Sequence, residues 1–169
     1  AKALQLRGAE VKVLICGEVL DGCELKSIRN ENDSDPCWSC RFHARNTTPL
    51  YDLETKALSD FLNFKEINNL RLKAKDIVLK NKNIIAHGIN LNQTIEDSIT
   101  RYYYGAVPED KRKILKIKTD HTMTALVTAE IANRIELEWK PDVVLSIMYG
   151  YSAWESFYKY YNNAGNRFR

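Results

Sequence analysis

One stretch constrains the fold of this chain more than any other: DVVLSIMYGYSAWESF, residues 142 to 157. Val143, Val144, Leu145 and Ile147 form a short apolar, partly β-branched run, the pattern of a strand buried on both faces. A tyrosine-flanked glycine, Tyr149-Gly150-Tyr151, follows at once. Ser152 with Glu155 three residues later is the capping box that opens a helix. That helix runs to about Asn163, with Gly165 as a left-handed stop. The segment predicts strand, tight turn and helix N-terminus. In open α/β sheets ligands gather at such a juncture, beyond the carboxyl end of a strand.

The rest of the chain is read against that unit. A helix over 1–7 ends at Gly8, and a strand over 11–16 follows. The polar segment from Gly17 to Pro49 holds all four cysteines and many turn formers, and reads as an irregular loop inserted at 17–49 of a single domain, 1–169. Two short helices over 53–62 and 64–79 come next, then a brief strand through NIIAHGI ending at Gly88. Asn90 with Gln93 opens a helix to about Tyr104. Pro108, Glu109 and Asp110 suit the first turn of a long helix to about Trp139. Met123, Val127, Ile131 and Ile135 recur on one face of it. This order fits a parallel sheet covered by helices, with strands 11–16 and 143–148 side by side. A first helix with no strand before it and a last helix with none after it read as a fragment of a larger α/β protein.

A chain of 169 residues can bury a real core. A net charge of +3 is too small to argue for nucleic acid. No apolar run approaches the roughly 20 residues of a membrane span, and no signal peptide is visible. A soluble, cytoplasmic protein is the expectation.

Several residues could carry chemistry. Cys16, Cys23, Cys37 and Cys40 lie close in sequence, and Cys37-x-x-Cys40 is a good metal knuckle. Four thiolates could hold a structural zinc; the alternatives are a core Cys16 with reduced bystanders, or disulfides. His43 could replace one thiolate, whereas His121, inside the long helix, reads as a packing or surface residue. His87, followed by Gly88 after an apolar strand, could be a general base or bond a hydroxyl; the alternative is a structural histidine. SITRYYYG places Arg101 and three tyrosines near a helix end, where Arg suits phosphate or carboxylate and tyrosine suits sugar stacking. Helix packing with a solvated Arg is the plainer reading. Gly150 could let backbone approach a ligand, with Tyr149 and Tyr151 as walls and the N–H groups after Ser152 as donors. It could equally be a turn glycine with positive φ.

Taken together, AKALQLRGAEVKVLICGEVLDGC, CWSCR, AHGINLNQTIEDSITRYYYG and KPDVVLSIMYGYSAWESFYKYYNNAGN resemble, in order, the N-terminal half of bacterial capsular or surface-polysaccharide biosynthesis proteins. Those are similar to two-domain glycosyltransferases of the GT-B type. The resemblance implies a Rossmann-like parallel sheet flanked by helices, on the acceptor side of a two-domain cleft. It implies a nucleotide-sugar donor held mainly by a C-terminal domain outside this chain, so that the chain alone does not turn over. The implied partners are a saccharide or lipid-linked acceptor and, through the full-length protein, a membrane surface; no nucleic acid is implied. His87 becomes the candidate catalytic base, and Gly88, Arg101, Tyr149, Gly150, Tyr151 and Ser152 the acceptor-binding set. Where the family has a His before the glycine of the last turn, this chain has Tyr149. Two readings from other classes remain. NKNIIAHG resembles the polar-x-x-x-His signature of HEPN nucleases, with Lys82 in place of Arg, and a zinc-stabilised interaction module is the non-enzymatic reading.

Overall fold

The computed structural model describes residues 1–28, 36–146, 148, 150–163 and 165. The fold is mostly helical, which overturns the expected Rossmann-like sheet. The described strands form two separate two-stranded sheets. The elements are α1 (Lys2–Gln5), β1 (Lys12–Ile15), α2 (Pro36–Thr47), β2 (Glu54–Ala57), α3 (Phe64–Leu79), β3 (Ile85–Ala86), β4 (Ile89–Asn90), α4 (Asn92–Tyr102), α5 (Lys111–Glu138) and α6 (Tyr151–Asn163), with 3₁₀ turns at Pro49–Tyr51 and Leu58–Phe61.

Helix α5 is the organising element. Asp110 caps it, its side chain accepting from the Arg112 N–H. Every residue from His121 to Ala129 is buried, so the middle of the helix is enclosed on all sides rather than laid on a sheet face. Small side chains make this possible. Ala125, Ala129 and Ala132 let neighbours approach, and the Thr128 hydroxyl is satisfied by the Thr124 and Ser152 carbonyls. Met123, Val127, Ile131 and Ile135 are all buried, in a core shared with α3, α4 and α6. Helix α3 starts on a reciprocal capping box: Asn63 Oδ1 accepts from the Glu66 N–H and Glu66 Oε2 accepts from the Asn63 N–H. Arg134 of α5 then ties α3 down through Glu66, at 2.6 Å.

Two strand expectations fail for identifiable reasons. None of the described residues of the 143–148 run is in a strand; Val144 makes a single bridge, and Ile147 lies outside the described residues. Val143 and Leu145 are 52% and 59% exposed, whereas a strand buried on both faces would hide them. The parallel partner of β1 is instead β2, Lys12 opposite Glu54 through Ile15 opposite Ala57. LETKA reads locally as helix, but long-range contacts select the extended form. Lys12 pairs with Glu54 at 3.2 Å, and Lys56 pairs with Glu138 at 2.8 Å while lying over the rings of Phe61 and Trp139. Within the 17–49 segment the described residues include a helix where a loop was expected: α2 forms there, and Arg41 ties it to Glu18.

Candidate functional site

Helices α4 and α6 lie against each other, and the first turn of α6 is fixed from three directions. From α4, Ser98 Oγ accepts from the Ser152 N–H at 2.9 Å and donates to the Thr94 carbonyl. From α5, His121 Nδ1 shares a 2.7 Å hydrogen bond with Ser152 Oγ. From the segment after β1, Glu24 Oε1 accepts from the Ala153 N–H at 3.0 Å. That segment is seated by Gly22, whose N–H donates to Thr124 Oγ1 while its carbonyl accepts from the same hydroxyl. Burial holds His121 neutral, its pKa lowered to about 4, with Lys26 adding to the shift. Burial also raises the Glu24 carboxyl, opposed by the Ala153 N–H and the Arg101 charge. All of this polar machinery is beneath the surface.

Above it opens a groove of about 680 Å³, within the range of small-ligand sites. Asp97, Thr100, Arg101, Tyr104 and Gly105 line one side, and Gly150, Tyr151, Glu155 and Tyr158 the other. Its walls are two helical stripes at i, i+4, i+7 spacing. Asp97, Arg101 and Tyr104 come from α4 and its end; Tyr151, Glu155 and Tyr158 come from α6. Tyr104 and Tyr151 both hold left-handed backbone, at φ 52° and 64°. For a bulky residue that conformation is an outlier. Gly150, beside Tyr151, does not use it, and a Cβ placed there would meet nothing within 4 Å. The Arg101 guanidinium lies 5.1 Å from the Tyr104 ring centre. Asp97 Oδ1 accepts from Gln93, and Glu155 pairs with Lys159 at 3.0 Å.

The structure thus brings Arg101, Gly150 and Tyr151 together and sets Ser152 under them, fully buried. The donors expected after Ser152 are already engaged: the Ser152 N–H on Ser98 and the Ala153 N–H on Glu24. Tyr149 lies outside the described residues. His87 and Gly88 are not among the groove's lining residues. They form the two-residue turn between β3 and β4, at φ 46° and 78°. His87 Nε2 bonds Glu130 at 2.8 Å, and its ring meets Tyr160 edge to face. Tyr160 is nine residues beyond Tyr151 on α6, roughly 13 Å along the helix. Lys82 is on Asp76 at 2.8 Å, so the two residues of the nuclease signature are held by different acids on different elements.

None of the four cysteines is in a disulfide. Burial raises the Cys23 thiol, opposed by a backbone hydrogen bond at Leu25 and aided by smaller contributions from Glu24, Cys16 and Cys40. Among the described residues no group of three or more His, Cys, Asp or Glu is placed to hold a metal.

Sequence reading missed Asp97, Tyr104 as distinct from its buried neighbours Tyr102 and Tyr103, Tyr158, Glu24 and the role of His121. The first three carry a signal, the i, i+4, i+7 stripe through Arg101 and through Tyr151. Glu24 carries none, since its place depends on how residues 17–28 dock. Comparison with protein-family models, with curated proteins and with solved structures finds no match. Among the described residues no helix is long and apolar enough to cross a membrane.

Proposed function

We propose that this chain binds a saccharide acceptor in the α4–α6 groove, as the acceptor-side part of a glycosyltransferase-like protein of surface-carbohydrate biosynthesis. The observation that carries the reading is the pair of groove tyrosines, Tyr104 and Tyr151, both held in left-handed backbone. Strain of this kind persists where the surrounding structure over-determines it, and it clusters at ligand sites. Two ring walls supply apolar faces for a pyranose. Arg101, Thr100, Asp97 and Glu155 supply the donors and acceptors that orient its hydroxyls. The nucleotide-sugar belongs to another domain in this reading, and the acceptor is a free or lipid-linked saccharide on the cytoplasmic side. The chain's own part is to bind and orient the acceptor; His87, engaged with Glu130 elsewhere, is given no catalytic part.

Titration calorimetry of the chain with a panel of neutral and acidic disaccharides at millimolar concentration tests this. Binding by some member, weakened at least tenfold in Tyr151→Ala with an unchanged thermal melt, is the expected outcome. No binding across the panel, or equal affinity in the variant, would contradict it.

A further inference from the structure

One donor nitrogen of Arg101, on the groove wall, has no acceptor among the described residues. That atom, Nη1, is buried. A guanidinium is always charged and has no acceptor capacity of its own. A buried charged donor without an acceptor is costly, so such a group calls for an explanation. Its surroundings narrow what could satisfy it. On one side is the Tyr104 ring, which is 49% exposed. Glu24, buried and already accepting from the Ala153 N–H, adds to the field around Arg101 without bonding it. Asp97 and Glu155 sit on the groove walls with partners of their own, Gln93 and Lys159.

We infer that the saccharide of this groove is acidic, a uronic-acid sugar whose single carboxylate seats on Arg101 as the Tyr104 ring turns aside. This deepens the reading above and rests on it. The planar fork of Arg matches a carboxylate in two-point contact. A neutral sugar would offer Nη1 an acceptor without a charge. A phosphate would bring a second negative charge toward Asp97 and Glu155, which a monoanion avoids. The tyrosine walls then stack on the ring that carries the carboxylate, so charge and ring face are read together.

The test compares a glucuronate-terminated disaccharide with its glucose-terminated counterpart on the intact chain, with inorganic phosphate as competitor. The acidic sugar should bind at least tenfold tighter, and the advantage should shrink as salt is raised. Arg101→Gln should abolish that advantage, and Arg101→Lys should keep part of it, since charge survives and the fork does not. Equal affinities for the two sugars would overturn the inference while leaving the groove reading in place. Phosphate displacing the acidic sugar at equal concentration would overturn it in favour of a phosphorylated ligand. Failure of both sugars, across the wider panel as well, would remove the groove reading and this inference with it. Should Arg101→Gln fail to fold, the wild-type comparison alone decides.

Discussion

Left-handed backbone at a tyrosine costs on the order of 1 kcal/mol or more, and glycine carries no such cost. Tyr151→Gly should therefore leave stability unchanged or raised by about 1 kcal/mol while removing a groove wall. Thermal melting checks the first half and saccharide titration the second; a large loss of stability would mean that the ring works for the fold. Gly150→Val should also fold, since nothing stands within 4 Å of its Cβ position. Binding should fall at least tenfold because the side chain enters the groove. His121 gives a pH signature. Its folded pKa is about 4 against 6.5 in the open chain, so the stability is fully present above pH 6.5. It is lost as pH falls from 6.5 to about 4, by roughly 3 kcal/mol in all. Urea midpoints at pH 7.5 and pH 5 should differ in this sense for the wild type and much less for His121→Gln. Equal differences in the two proteins would show that another group carries the acid sensitivity.

At the scale of elements, the seat of residues 17–28 is the sharpest point. A Cβ on Gly22 would lie 2.7 Å from His121 Nδ1 and 2.8 Å from the α5 backbone. Gly22→Ala should cost on the order of 1–3 kcal/mol, as overpacking does, because the helix backbone cannot yield. A denaturant midpoint close to wild type would show that the segment docks more loosely than described. What was legible in the sequence follows the same division between local and long-range causes. Helix α3 was readable over 64–79, and the four apolar residues of α5 were readable as core, because caps and 3.6-residue periodicity are local. The start of α6 was readable as the end of a turn. The LETKA strand and the loss of a strand at 143–146 were not, since pairing partners 42 residues away decide the one and the other has no more than a single bridge at Val144. The β3–β4 hairpin was half legible: a His-Gly pair between apolar residues is a turn signal, and reading it as a single strand end placed His87 at a site it does not join.

At the scale of the molecule, the functional residues are held by a helical core and not by the edge of a sheet. Helix α5 carries His121 and Thr128 to the underside of the groove, and α4 and α6 present its walls. Arg101, Gly150 and Tyr151 were grouped from a parallel-sheet topology that is absent; they line one groove because α4 packs against α6. Their partners Tyr104 and Tyr158 lie on the same i, i+4, i+7 stripes, a signal that marks a shared wall only once the two helices are seen side by side. Selective ¹³C labelling of tyrosine rings, followed by titration with the glucuronate-terminated disaccharide, tests the central claim most directly. The ring signals of Tyr104, Tyr151 and Tyr158 should shift together, with those of buried Tyr102, Tyr103 and Tyr161 unmoved. Unmoved groove tyrosines at saturating sugar, or shifts confined to Tyr51 or Tyr160, would contradict it.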